Sequence, residues 1–176
     1  YLSIFAISID SIKRDNNLKI GRVQKETSLK ISQVFRNIEL FRSFSKDIKI
    51  KINTVVNKYN YNEYLGDFIS LIKPDKWKVF QALSINSNEI HCSNSQYKIF
   101  LPKHKKLNIS TFTESNAEMT DSYIMIDPHG RFYQNTNGSY IYSKSILDIT
   151  ENEIMKCINV DMSKHHNRYE ENSYAK

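Results

Sequence analysis

Ile48-Lys-Ile-Lys-Ile-Asn-Thr-Val-Val56 decides the fold. Its first six residues alternate strictly between apolar and polar, as in a β-strand whose side chains point to opposite faces in turn. Isoleucines 48, 50 and 52 take one face; Lys49, Lys51 and Asn53 take the other. Upstream, Leu29, Ile31, Val34, Phe35, Ile38 and Phe41 recur at mainly three- and four-residue steps. They predict an amphipathic helix from about Thr27 to Ser45, with Thr27 or Ser28 as its cap. Before it, the nearly continuous apolar run Leu2 to Ile9 ends in Asp10-Ser11 and predicts a parallel strand covered on both faces. A polar connection carrying Gly21-Arg22 separates the two. Downstream, Asn62 to Ile72 predicts a shorter helix that buries Tyr64 or Leu65, Phe68, Ile69 and Ile72, and Pro74 closes it. Trp77 to Ile85 reads as a third strand.

Strand, helix, strand, helix, strand with long crossovers implies an α/β fold with parallel pairing. Doubly wound sheets and βα barrels are both built this way, and both bind ligands at the carboxyl ends of their strands. Those ends are Ser8 to Ser11, Asn53 to Lys58, and Gln81 onward. After Ile85 the pattern changes. Asn86 to Ser95 is polar and turn-like, and Tyr97 to Lys106 has helical character that Pro102 weakens. Ser122-Tyr-Ile-Met-Ile126 and Arg131-Phe-Tyr-Gln134 predict a hairpin around Asp127-Pro-His-Gly130. A short helix is expected from Glu151 to Ile158. The expected domains are residues 1–85, the parallel part; 86–160, an extension; and 161–176, a mobile polar tail.

The 176 residues suffice for one good core, and 40% hydrophobic with 25% charged residues excludes disorder. Only 4 Gly and 3 Pro leave no room for a glycine-rich phosphate loop. Cys92 and Cys157 are too few and too far apart for a disulfide framework or a cysteine zinc site, and read as reduced residues of an intracellular protein. No stretch approaches the ~18–20 apolar residues needed to cross a bilayer, so the expectation is a cytoplasmic protein without a transmembrane segment. The chain starts at Tyr1, as expected for a piece of something longer. A formal net charge of +6 favours anionic partners without choosing among polynucleotide, acidic lipid and small polyphosphate.

Lys51, Asn53 and Lys78 fall in the middle of predicted parallel strands, and Lys76 stands just before the third. A buried unpaired ammonium costs several kcal/mol, so such lysines need an anion, water or the surface. Two readings stand: an exposed edge whose lysines discourage aggregation, or a triphosphate site built from side-chain ammonium groups. Ser8 and Arg22 likewise read either as a capping serine and a solvated arginine, or as a polar pair holding a small charged molecule. His165-His166 lacks a partner carboxylate at metal-binding spacing, and Lys103-His-Lys-Lys106 reads as a solvated run, so neither a metal nor stable nucleic-acid binding is expected.

Blocks in a fixed order carry a family resemblance: Ala6-Ile-Ser-Ile-Asp-Ser11, Ile20-Gly-Arg22, Lys51-Ile-Asn53 with Val56-Asn57, and Trp77-Lys-Val-Phe-Gln81. It resumes at Pro102 to Lys105, Glu114-Ser-Asn116, Met119 to Ile126, Arg131-Phe132 and Ser143-Lys-Ser-Ile-Leu-Asp148. Over roughly residues 2 to 155 the chain resembles the viperin family, radical S-adenosylmethionine (SAM) nucleotide dehydratases of antiviral defence. The resemblance implies the C-terminal half of a partial (βα)6 barrel, three parallel βα units, plus an α+β extension closing over the nucleotide site. It implies a 4Fe–4S cluster and SAM as cofactors, an electron donor, and iron–sulfur assembly factors as partners. The implied lyase-type reaction removes hydrogen from the ribose 4′ carbon of a nucleoside triphosphate (CTP, or UTP or GTP). Loss of the 3′ hydroxyl as water then gives the 3′-deoxy-3′,4′-didehydro chain terminator.

By the same resemblance, Ser8 and Arg22 match SAM-contacting positions; Lys51, Asn53, Lys76 and Lys78 match nucleotide-binding ones; and Tyr123 matches a tyrosine beside the nucleotide that donates hydrogen late. Lys76 stands where animal members have arginine, keeping the charge without the bidentate fork. The cluster motif CxxxCxxC is absent, so the resemblance implies that this chain is inactive without an N-terminal cluster-binding half, the site also of a membrane-associating helix in animal members. The C-terminal tryptophan with which animal members engage assembly factors has no counterpart in Ser173-Tyr-Ala-Lys176. A non-catalytic basic module for nucleotides or nucleic acid is the alternative. A Rossmann-like cofactor domain is disfavoured because no GxGxxG follows the first strand.

Overall fold

In the computed structural model, which describes residues 2–25, 27–83, 90–136 and 138–166, the apolar opening run forms β1 (Ile4–Ser8). Helix α1 (Arg14–Ile20) and a two-strand ribbon, β2 (Val23–Gln24) with β3 (Thr27–Ser28), lead to α2 (Ile31–Phe44). β4 (Lys49–Val56), α3 (Gly66–Ile72), β5 (Lys76–Gln81), α4 (Asn94–His104) and β6 (Thr111–Glu114) follow. β1, β4, β5 and β6 pair in parallel, in that spatial order, as one four-stranded sheet. These elements make one compact unit, Tyr1–Ala82 with Ser87–Glu114.

The alternation in β4 is obeyed to its end: Ile50, Ile52, Thr54 and Val56 are buried while the residues between them are not fully covered. The buried face packs with Val34 and Ile38 of α2, Phe68, Ile69 and Ile72 of α3, and Tyr97 and Phe100 of α4. Trp77 sits fully buried in this layer, edge-on to Phe100, and its Nε1 donates to Thr54 Oγ1 at 2.9 Å. Thr54 Oγ1 in turn donates to the Ile9 carbonyl at 2.7 Å, linking three neighbouring strand regions through the core.

Several expectations need correction. β1 is not covered on both faces: among the described residues it pairs only with β4, at the edge of the sheet, and its residues alternate between exposed and half-buried. The parallel sheet has a fourth strand, β6, that the three-unit reading lacks; four residues with one large apolar side chain carry too little pattern to be seen. The polar connection after β1 contains α1, whose Arg-Asp-Asn-Asn-Leu-Lys-Ile has no apolar stripe. Tertiary bonds hold it, buried Asn17 donating to the Ser11 carbonyl at 3.0 Å. Thr27 and Ser28 lie in β3 and cap nothing; α2 starts at Ile31 after an uncapped Lys30. α3 begins only at Gly66, because Asn57 and Asn60 bond one another and tie 57–63 into turns. Leu65 is buried and Tyr64 exposed. Helix α4 tolerates Pro102 in its last turn, where a Ser93–Gln96 capping box fixes the start and buried Tyr97 and Phe100 fix the face. The third strand ends at Gln81; its expected end at Ser84-Ile85, residues 86–89 of the polar stretch, and 167–176 of the tail lie outside the described residues.

The second unit, Leu83–Asn86 with Ser115–Lys176, holds α5 (Asn116–Met119), β7 (Met125–Ile126), β8 (Arg131–Thr136), β9 (Ser139–Ser145) and α6 (Glu151–Cys157). Its three strands form an antiparallel sheet in the order β7, β8, β9. The predicted hairpin is present: Gly130 adopts φ +71° and its N–H bonds the Asp127 carbonyl at 2.9 Å. β9, which pairs with β8, was not expected; its alternation mixes tyrosines with serines on an exposed surface.

Candidate functional site

Parallel register brings the predicted cations together. Lys51 of β4 lies opposite Lys76 of β5, Asn53 opposite Lys78, and Ser8 of β1 opposite Asn53. Lys78 faces Phe112 across β5 and β6. Because side chains alternate along each strand, Ser8, Lys51, Asn53, Lys76, Lys78, Phe112 and Glu114 share one face of the sheet. It is the face opposite the helix-packed core.

The electrostatics show that these groups feel one another. Burial lowers the Lys51 pKa from its ordinary value, and repulsion from Lys78 lowers it further, against an opposing pull from Glu114. Lys76 is lowered by burial, then by repulsion from Lys78 and from Lys51. Its Nζ lies 3.9 Å from the Phe112 ring centroid, a cation–π contact that keeps the ammonium over the sheet. Lys78 Nζ donates to Glu114 Oε1 at 2.6 Å, and both residues are buried. Asn53 Oδ1 is a buried acceptor without a hydrogen-bond partner among the described residues. An unsatisfied buried oxygen costs about 1–3 kcal/mol, and here it stands in the row of lysines.

Beside this face is a cleft of about 690 Å³ whose lining includes Ser8, Gly21, Arg22, Ser28 and Gln33. Gly21 ends α1 at φ +81°, a left-handed turn that a side chain would strain. The turn delivers Arg22, whose Nε donates to Asp10 Oδ2 at 2.6 Å. Asp10 is buried, and its Oδ1 accepts the Val55 N–H at 2.8 Å. Arg22 is thus anchored at the carboxyl ends of β1 and β4. Glu63 accepts from Ser11 Oγ at 2.6 Å, Ile12 N at 2.9 Å and Asn16 Nδ2 at 2.8 Å, closing the same end with a satisfied polar network. Ser8 and Arg22 both line this cleft. Tyr123 belongs to the second unit, half-buried between α5 and β7.

Among the described residues no cluster of three or more His, Cys, Asp or Glu is placed to hold a metal ion, and no helix is long and apolar enough to cross a membrane. Cys92 is buried, its thiol pushed up to about 11 by desolvation, and Cys157 is exposed on α6. His165 and His166 lie with ring centroids 6.2 Å apart.

No family model matches the chain. Curated relatives do. A nucleotide dehydratase from Psychrobacter lutiphocae, named as S-adenosylmethionine-dependent, is 40% identical over 164 residues, 92% of this chain and 55% of that protein. One of the same name from Lacinutrix mariniflava is 41% identical over 175 residues, covering 96% and 36%. The S-adenosylmethionine-dependent nucleotide dehydratase RSAD2 of Danio rerio is 34% identical over 169 residues, covering 89% and 45%. The chain belongs to this viperin-like family. It spans about half the length, or less, of these relatives.

Within the family frame, the sequence reading missed the acidic residues of the site. Asp10 directly follows the first apolar run, where a carboxylate at a strand's end is a recognisable signal. Glu114 ends a strand that was not predicted, so nothing placed it near the lysines.

Proposed function

We propose that this chain supplies the nucleotide- and SAM-binding part of a radical SAM nucleotide dehydratase. In this reading the four parallel strands are the later part of a partial (βα)6 barrel, and the second unit is its C-terminal extension. The enzyme converts a nucleoside triphosphate (CTP, UTP or GTP) to its 3′-deoxy-3′,4′-didehydro analogue, an antiviral chain terminator. One observation carries the reading: Lys51, Lys76 and Lys78 crowd onto one sheet face around an orphan Asn53 oxygen. A triphosphate carries about four negative charges, and its attraction to ammonium groups strengthens as water is excluded. It relieves the mutual repulsion of the lysines, and a sugar hydroxyl gives Asn53 Oδ1 the donor it lacks.

The Ser8–Arg22 cleft fits SAM. Arg22, held by Asp10, offers its guanidinium to a carboxylate, and the Ser8 hydroxyl adds a hydrogen bond. When bound, SAM supplies the hydrogen-abstracting chemistry; this chain's residues bind and orient the two molecules. Tyr123 is assigned as the late hydrogen donor. The residues present do not fit a 4Fe–4S cluster, which needs several thiolates. Buried Cys92 and exposed Cys157 form no such set, and no step through a cluster is assigned to this chain.

The test uses the intact dehydratase, anaerobically reconstituted. Formation of 5′-deoxyadenosine dependent on CTP, UTP or GTP is expected, with Lys51→Met and Lys78→Met weakening triphosphate binding and Arg22→Gln weakening SAM binding. Triphosphate binding without turnover would reduce the protein to a nucleotide-binding module. Triphosphate affinity unchanged in both lysine variants would overturn the site.

A further inference from the structure

A polyphosphate receptor has no evident use for a carboxylate, yet the lysine face contains one. Glu114, 5% exposed at the carboxyl end of β6, is within 2.6 Å of Lys78 Nζ, and its charge also acts on Lys51 and Lys76. Two simpler designs were open to the fold. If only stability mattered, a neutral pair of similar volume at positions 78 and 114 would serve as well or better, because burying two charges costs as much as their attraction returns. If only affinity mattered, position 114 would be neutral and all three ammonium groups would face the phosphates. The charged pair does neither. It sets the face at two net positive charges, three ammonium groups against one carboxylate.

Resting on the polyphosphate reading above, we propose that Glu114 restrains the affinity of the lysine face, holding the Lys78 ammonium in a pair that an incoming phosphate must share or displace. The consequence is kinetic. Binding energy that is equal for substrate, transition state and product lowers KM without raising kcat, and it slows product departure. A carboxylate built into the receptor trims that uniform attraction while leaving the lysines charged and ordered.

The experiment is a charge ladder on the intact enzyme, with inorganic tripolyphosphate as probe and calorimetric Kd as readout. Glu114→Gln leaves three net positive charges, Lys78→Gln leaves one, and the double variant returns to two. Expected is ~3–10-fold tighter binding for Glu114→Gln, about 10-fold weaker binding for Lys78→Gln, and a double variant within ~3-fold of wild type. Glu114→Gln should also lower KM for the nucleoside triphosphate without raising kcat. Weaker binding in Glu114→Gln, or a double variant as weak as Lys78→Gln, overturns the inference and makes Glu114 a strut for an indispensable lysine. The double variant buries no unpaired charge, so it decides the matter even if Glu114→Gln fails to fold. If Lys78→Gln and Lys51→Met both leave tripolyphosphate affinity unchanged, the polyphosphate reading itself falls, an outcome distinct from either of these.

Discussion

The two faces of the parallel sheet are made by the same strands and do opposite work. On one, Ile50, Ile52, Val56, Trp77 and Val79 are at most 1% exposed and packed under three helices. On the other, one residue along in each strand, Lys51, Asn53, Lys76 and Lys78 crowd like charges and leave a polar oxygen unsatisfied. The first face accumulates apolar burial at about 25 cal/mol per Å². The second gives some of that stability back to hold a site ready for a polyanion. A strand pair with a two-residue period can separate these tasks because a substitution at position n touches one face and a substitution at n+1 the other.

The sharpest way to break this comparison is to mutate neighbours. Trp77→Ala empties a fully buried site and is expected to cost about 3–5 kcal/mol in urea unfolding. If the loss is below ~1 kcal/mol, the packed face is not where stability resides. Lys51→Met, opposite a Trp77 neighbour in the register, should instead change stability by no more than ~0.5 kcal/mol. It should still weaken triphosphate binding by about 10-fold in the intact enzyme. Next in size, Thr54→Val removes the hydroxyl that bridges the Ile9 carbonyl and the Trp77 indole; loss of about 1–3 kcal/mol is expected, with no effect on nucleotide affinity.

A pH profile separates the faces again. His104 is buried on the helix side, its Nε2 accepting the Leu65 N–H at 2.9 Å and its Nδ1–H directed at the Phe100 carbonyl. Burial lowers its pKa below the ordinary 6.5, so the folded state prefers the neutral ring. The unfolded chain then binds the extra proton first, and the stability His104 contributes is present above about pH 6.5 and lost as pH falls below it. A urea midpoint that drops between pH 7.5 and 5, and a flatter profile in His104→Gln, are expected. The smallest effect is on the other face: Lys51 and Lys76, both lowered, should release their protons on the alkaline side before ordinary lysines do. Stability should therefore rise slightly as pH approaches 10.5 while polyphosphate affinity falls. Affinity that holds steady through that range would mean the two lysines do not grip the phosphates.

Legibility followed pattern strength. The alternation of β4 and the apolar spacing of α2 were readable because each repeats over several turns or residues against one core. The ribbon of β2 and β3, helix α1 and strand β6 were not, since each is short and held by contacts from elsewhere in the chain, as Asn17 is by Ser11. At the site, the lysines were conspicuous as charges within apolar strands, and the family blocks named Ser8 and Arg22. Asp10 and Glu114 were given no role: Asp10 stood at a strand's end, where the signal was available, whereas Glu114 ends a strand too short to read from sequence.

The order of residues alone determined the α/β class, the face on which each β4 residue lies, and the kinship with nucleotide dehydratases, because periodicity and local identity are properties of the string. Only the tertiary structure decided that Lys51 stands against Lys76, that Glu114 reaches Lys78, and that Asp10 anchors Arg22. Those pairings join segments tens of positions apart through strand register, and register is fixed by how the whole core packs.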